Sequence, residues 1–382
     1  MANTLALAIP ALLAQGLLAL RQMALMPRYI NRAYEGLAGE KGGTISVPIP
    51  SAITAAVVAP SNVLLAPATV GATTPTSAII TLNQWWEASF FMTDNDLLQA
   101  IAGIIPMQAS EGVKALANQV DQLVLTTHNT IYGWGGTAGT TPFATDLAEF
   151  LDARKALNTQ LAPFDPRYVV MNADAEANAL GLRAFQDASF RGDTAGILNG
   201  EIGRKLGSTW FVDQNVQTHT AGTAAGAGTT AAGFAAGVVQ INLQAQGAGT
   251  ILAGDVFTIA GDAQTYVADG TGTGCANVGA GGTVNFTPPL AVTIGAAITA
   301  ITLKQTHVVN LAFQRDYMAL ASRPFSGADP LGLGFYQSAV DPVSGLTLRL
   351  EVQRQHKQTL FSYDILYGLQ VVRPQFAARI AG

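Results

Sequence analysis

The side chains in this chain that could do chemistry are few and scattered. Its four histidines, at positions 128, 219, 307 and 356, titrate near neutral pH and would be the natural acids, bases or metal ligands. General acid–base work or metal binding would need them gathered with carboxylates, and no two stand at a motif spacing. No Gly-x-Ser-x-Gly elbow, Gly-x4-Gly-Lys-Ser/Thr phosphate loop or His-Glu-x-x-His zinc pair occurs. Cys275 is the only cysteine, which excludes an intrachain disulfide and a cysteine-built zinc site. Asp94 and Asp96 could begin an oxygen-ligand loop, but Leu97 and Leu98 stand where further ligands are needed. Thr93-Asp94-Asn95-Asp96 instead reads as a helix start capped by a short polar side chain. Arg191-Gly192-Asp193 matches an adhesion tripeptide and Asn285-Phe286-Thr287 a glycosylation sequon; they read as a turn and a strand end. The sequence therefore assigns no catalytic, cofactor-binding or metal-ligating residue, and no enzymatic activity.

Composition points the same way. Only 12% of the 382 residues are charged, about half the usual share, while 49% are hydrophobic and 40 are glycine. Dispersed monomers rely on a mixed, charged surface, so partners should cover much of this one. The net charge of −5 is the wrong sign for a protein that holds nucleic acid by neutralising phosphates. The length calls for one large core with an inserted module, or for two domains.

The elements that would position these residues can be read along the chain. Ile9, Leu12, Leu13, Leu17, Leu20 and Ala24 fall on one helical face, with Gln15 and Arg21 elsewhere. That is an amphipathic docking arm; it lacks the positive flank of an export signal, is broken by Pro10 and Gly16, and has no basic face for a membrane. Thr44 to Ile49 alternates as an edge strand, and a second strand pattern runs from Ala78 to Phe91. Together they form a long projecting hairpin. No Lys or Arg occurs from Gly42 to Val113, so the hairpin should lie on another subunit rather than in water.

A long helix is expected from Pro106 to Ile131, with Val113, Leu116, Ala117, Val120, Leu123 and Val124 in one stripe and Lys114, Asn118, Asp121 and Gln122 on the other faces. His128 near its end reads as a helix-terminus residue complementing the dipole. Asp146 and Glu149 open a second helix through Phe150, Leu151, Leu157 and Leu161; Tyr168 to Met171 is a strand, and Asn172 caps a further helix. Thr220 to Gly237 is an Ala/Gly/Thr tract that reads as a flexible connection. Short strand signals follow at 238–243, 256–260, 265–267, 283–286 and 298–303, suggesting an inserted small barrel or sandwich. Gly254-Asp255-Val256-Phe257-Thr258-Ile259-Ala260-Gly261, a strand between tight turns, points to construction rather than chemistry. Long strands return at 346–350 and 360–369. The class is α+β.

Several of these segments, in series, resemble one family. They are Ile30 to Glu35 followed by Gly43 to Pro50, Phe90 to Asp96 before the long helix, Gly200 to Gly207, Gly254 to Gly261, Asn310 to Leu320, and Leu366 to Pro374. Their order and spacing resemble the major capsid (coat) proteins of tailed bacteriophages with the Hong Kong 97-type fold, in the branch with an inserted β domain like the short-tailed Salmonella phage coat protein. The resemblance implies an N-terminal arm at 1–40, an extended loop at 41–92, peripheral and axial core domains at 93–216 and 307–382, and an inserted β domain at 217–306. It implies a homo-oligomer of pentamers and hexamers in an icosahedral shell around double-stranded DNA, without sequence-specific binding. It further implies a virion location after assembly in the host cytoplasm, with no membrane, and a separate scaffolding protein, a portal and a decoration protein as partners. Family members that crosslink do so through a lysine in the extended loop, and none stands between Lys41 and Lys114, so a noncovalent shell is expected. The positive clusters, Arg21 to Lys41 and Arg349, Arg354, Lys357, Arg373 and Arg379, read as solvated or intersubunit groups. The alternatives are a nanocompartment shell protein of the same fold, against which the inserted β domain counts, a secreted β-rich adhesin or tube protein, and an enzyme of unrecognised type.

Overall fold

The structure, a computed structural model, describes residues 12–20, 24–34, 43–50, 75–95, 104–186, 202–270, 277–323 and 334–382. The outermost arm residues 1–11, the hairpin connection 51–74, Asp96, Arg191-Gly192-Asp193, Gly200-Glu201 and Cys275 lie outside them. The chain divides into two units, one of residues 1–17, 31–112 and 318–372, the other of 18–30, 113–317 and 373–382. Within the arm, 12–20 is helical, Leu12, Leu13, Leu20 and Ala24 are buried, and Gln15 is exposed, as the apolar face requires.

In the first unit, β1 (Thr44–Ile49) pairs antiparallel with β2 (Thr76–Thr81). The alternation buries Ile45, Val47 and Ile80 against Ala319 and Ala321. The strand expected from Ala78 to Phe91 is two strands. Leu82 N–H turns back to Gly43 O (2.8 Å), closing the first pair, and β3 (Gln84–Thr93) then joins another partner, β18 (Gln358–Val371). The fourteen-residue β18 takes β3 along one edge. Its other edge is shared by β17 (Thr347–Gln355) and, further on, β15 (Met318–Ser322); β16 (Gly334–Val340) continues the sheet beyond β17. The two long strands expected near the C-terminus are β17 and β18, whereas β16 has no sequence signal. Asp94 pairs with Arg354 (2.5 Å) on the surface in addition to standing at the start of helical residues 94–95.

In the second unit, a seven-stranded sheet runs β4 (Gly133–Gly136), β19 (Ala377–Ala381), β14 (His307–Gln314), β5 (Arg167–Met171), β7 (Ser208–Val212), β6 (Arg204–Lys205), with β8 (Thr218–His219) on the start of β14. The helix Ala148–Thr159 buries Phe150, Ala153 and Leu157, and Phe143, Phe150 and Phe185 surround the Trp210 ring at 4.7–5.6 Å. Asn172 accepts from Ala175 N–H and caps its helix as read from the sequence; Asp146 accepts from Ala148 N–H, but the cap position of that helix is Leu147, which makes no side-chain bond. Leu151 and Leu161, expected in the apolar stripe, are exposed.

The long helix is Ile104–Thr126, about 35 Å at 1.5 Å per residue, and tightens into a 3-10 turn at Thr127–Thr130 instead of continuing to Ile131. Side chains take over the terminal carbonyls there. Thr127 Oγ1 donates to Val124 O (2.6 Å) and His128 Nδ1 to Leu125 O (2.9 Å). Val113, Leu116, Ala117, Val120 and Val124 are buried, as expected, but so is Asp121. Its carboxyl accepts from the backbone N–H groups of Leu25 (3.0 Å) and Met26 (3.1 Å), which fixes the arm's helical turn Met26–Tyr29. Burial, then the Asp213 carboxyl, pushes Asp121 up to about 8.

The strand signals of the inserted region correspond to β9 (Gln240–Leu243), β10 (Val256–Ile259), β11 (Thr265–Asp269), β12 (Gly282–Thr287) and β13 (Ile301–Leu303), in the antiparallel order β13-β10-β11-β12-β9. Phe257, Tyr266 and Phe286 fill the interior, 5.1–5.9 Å apart. The Ala/Gly/Thr tract is not a slack connection. Its residues 227–230 bond to both sheet edges: Ile301 N–H donates to Ala227 O and Thr229 N–H to Thr299 O, while Gln244 N–H donates to Gly228 O and Thr230 N–H to Asn242 O. This closes the barrel and removes its open edges. Composition could not reveal it, because backbone groups rather than side chains make these bonds.

Candidate functional site

Three of the four scattered histidines meet in the second unit. The His219 ring stands 5.6 Å from His128 and 5.5 Å from His307, and His307 lies edge-on to Trp134 at 4.6 Å. His219 arrives on β8 and His307 at the start of the paired β14, opposite one another in register. His128 comes from the 3-10 turn that ends the long helix. His356 lies in the turn between β17 and β18, in the other unit.

Arg379 from β19 is the centre of this cluster and is fully buried. Its guanidinium donates to His128 O (2.8 Å), Ile131 O (3.0 Å) and Gly254 O (2.8 Å), with His307 Nε2 at 3.5 Å. The reading of Arg379 as a solvated or intersubunit cation is thus overturned. Three inward carbonyls replace the water it would lose, and charge-assisted bonds of this kind are the strong ones. Arg349 of the same sequence cluster is also no solvated group, being bidentate to Asp364.

Asp255, the residue after Gly254, is fully buried too. Its carboxylate stands 2.9 Å from His219 Nε2 and accepts from Gly222 N–H (3.0 and 3.1 Å) and Leu252 N–H (2.7 Å). Gly254 has φ +85°, and a Cβ on it would lie 2.4 Å from Asn129 Oδ1, so only glycine brings its carbonyl this close to Arg379. The barrel is seated beside the cluster by Tyr132, Val256 and Val267 and by Thr265 Oγ1 donating to Tyr132 O (2.6 Å).

The electrostatics oppose charge on His128 and His307. Burial, then Arg379, holds His128 down to about 3, and burial holds His307 down to about 4. His307 Nδ1 donates to Gln305 O (2.8 Å), which leaves a neutral Nε2 to accept from Arg379; a second proton would set two donors against each other. His128 is therefore a neutral, buried group and not a cation complementing the helix dipole. Burial draws Arg379 itself down to about 9, countered by Asp255.

A His–Asp pair next to an arginine resembles a catalytic constellation in content. Its surroundings differ, since His128, His219, His307, Asp255 and Arg379 are all buried and a substrate needs an open face. Among the described residues, no group of three His, Cys, Asp or Glu side chains could hold a metal ion. The cluster can fasten four segments together: the helix end, the Gly254–Asp255 turn, the β8/β14 pair and β19. Sequence reasoning misses it because the contributing residues lie far apart along the chain and three of Arg379's acceptors are backbone carbonyls; only Gly254-Asp255 carries a local signal.

No model of a known protein family matches this chain, and no curated protein does. Among solved structures, one described as Mycobacterium phage Che8 is similar at 16% identity, over 93% of this chain and 90% of that one, with a TM-score of 0.49. The capsid structure of the cyanophage P-SCSP1u is similar at 15% identity, over 89% and 83%, with a TM-score of 0.48. A virus-like particle from Pyrococcus furiosus is similar at 9% identity, over 97% of both chains, with a TM-score of 0.44. With every TM-score below 0.5, none of these likenesses bears on the function of this chain.

Proposed function

We propose that this chain is the major capsid protein of a tailed bacteriophage, a structural subunit that assembles with copies of itself. The observation that carries the assembly reading is the contrast between inside and outside. The ionisable cluster is sealed and structural, whereas Phe91, Phe164 and Leu161 are 63%, 70% and 86% exposed on a chain with only 12% charged residues. A surface of this kind is covered by partners in the working state. The series of segments from Ile30 to Pro374 supplies the capsid reading beyond mere self-association.

On this reading copies form pentamers and hexamers of an icosahedral head around double-stranded DNA, held noncovalently and without sequence-specific contacts to the genome. A separate scaffolding protein, a portal and a decoration protein are its partners, and assembly takes place in the host cytoplasm. The arm ends at residue 40, the extended loop at 92, and the inserted β domain occupies 217–306 between the two parts of the core. The chain has no catalytic role. Among the described residues no helix is long and apolar enough to cross a membrane.

Negative-stain electron microscopy of the purified recombinant protein, with light scattering on the same sample, tests this. Closed shells or ring-shaped capsomers are expected. A stable monomer that binds a small molecule would overturn the reading. Shells packed with a host enzyme would favour a nanocompartment instead.

A further inference from the structure

Two leucines in the second unit hold left-handed backbone at the surface. Leu161 has φ +58° and Leu206 φ +52°, a region that bulky L-residues seldom adopt and that glycine or asparagine would take readily. Both side chains are exposed, Leu161 at 86% and Leu206 at 43%, and Phe164 beside Leu161 stands 70% exposed. The left-handed backbone itself belongs to the fold: Ala162 N–H donates to Leu157 O and Leu161 N–H to Asn158 O past the helix end, and Leu206-Gly207 is the two-residue turn between β6 and β7. A leucine in place of glycine or asparagine, with its side chain exposed, is what these turns do not require.

Polar bonds fasten the two loops beneath these tips. Arg154 Nη1 donates to Leu206 O (2.6 Å), joining the helix Ala148–Thr159 to the β6–β7 turn. Arg204 Nη2 reaches Asp165 Oδ1 (2.7 Å), joining that turn to the loop after the helix. Arg167 donates to Pro163 O and Ala162 O and lies 5.0 Å from the Phe164 ring. Arg154 and Arg204 are spent on holding the loops, and Leu161, Phe164 and Leu206 stand exposed beside them. A rigid apolar centre with a polar rim is the form of an interaction hot spot.

Charge indicates what meets it. On the knob side Arg154, Lys155, Arg167 and Arg204 outnumber Asp152 and Asp165, while Asp146 and Glu149 stand at the start of the helix Ala148–Thr159. The neighbouring helix Ala173–Gly181, tied to the segment before Asp146 by Asn178 Nδ2 donating to Pro142 O (3.1 Å), adds Asp174 and Glu176 in its first turn. Basic and acidic groups on one body, about 9 Å apart from Glu149 to Lys155 by the helical rise, are complementary head to tail and not face to face. Head-to-tail contacts are heterologous and close into rings.

We propose that the Leu161–Phe164–Leu206 knob is a ring contact that seats on the acidic end, around Asp146 and Asp174, of a second copy of this chain. The inference rests on the self-assembly reading and deepens it by naming the contact.

The test uses the purified full-length chain, with light scattering and sedimentation to find the concentration at which species larger than monomer appear. The Leu161→Asn/Phe164→Ser variant should keep its Tm or gain a few degrees, since asparagine suits φ +58°, while its assembly threshold rises at least tenfold. Lys155→Glu, which leaves the loop-holding Arg154 and Arg204 in place, and Asp174→Lys should each raise the threshold, and the double variant, in which opposite charges face one another again, should recover most of it. Wild-type assembly matched by an unchanged threshold in Leu161→Asn/Phe164→Ser would overturn this contact and leave the shell reading standing. Should that variant fail to fold, the charge set decides, because a double variant no better than the singles sinks the proposal. A wild-type chain that stays monomeric at every concentration removes both.

Discussion

Removing the Arg379 guanidinium strands three buried carbonyls at once, those of His128, Ile131 and Gly254. Arg379→Met keeps much of the side-chain volume and no donor, so a loss of about 3–5 kcal/mol is expected from the unpaired acceptors, measured by urea denaturation. Acid should act on the same place. His128 and His307 are held at about 3 and about 4 when folded, against about 6.5 unfolded. The unfolded chain therefore binds more protons across that window, and stability present above pH 6.5 is lost as pH falls toward 4. Denaturation midpoints of the wild type and His307→Gln at pH 7, 5 and 4 check this, with the variant expected to show the shallower loss. Equal slopes would mean that His307 does not report the cluster's acid sensitivity.

Barrel closure is a property of elements, and it rests on four residues without a large apolar side chain. Thr229 is fully buried, and both its N–H and its Oγ1 bond to Thr299. Thr229→Pro removes the N–H and should open the seam, raising amide exchange in β9 and β13 by tenfold or more while the seven-stranded sheet stays protected. Exchange confined to residues 227–230 would show that closure does not hold the edges. The barrel strands were legible because Val256, Phe257, Ile259 and Tyr266 carry the apolar pattern that a β core needs. The closing tract was not, since alanine, glycine and threonine mark low complexity whether the backbone is paired or free. Asp121 misled for a similar reason. Its place on the helix looked polar, and the two N–H groups that bury it belong to residues nearly a hundred positions earlier. The cap at Asn172 read correctly because its partner is three residues away, whereas Asp146 bonds locally one residue before the cap position Leu147.

At the scale of the whole molecule, the legible part was the chain's class. Its α+β character, its sparse charge and the absence of a readable catalytic motif all follow from residue types alone. The site in which the histidines meet was illegible, because nothing in spacing announces that positions 128, 219, 255, 307 and 379 share one interior. With no lysine between Lys41 and Lys114, boiling assembled particles in detergent should release subunits of 39.6 kDa. A ladder of covalent multimers would refute the noncovalent shell.

The fourteen residues of β18 have one further consequence, which is mechanical. β3 is laced to one edge from Gln358 to Tyr367, and the other edge passes from β17 to β15 near Tyr367. A pull along this strand loads hydrogen bonds on both sides in shear, so they must fail together instead of unzipping singly. On the proposed capsid reading, pressure from within a filled shell would stretch its wall in the plane, and a strand gripped on both flanks is suited to carry that tension.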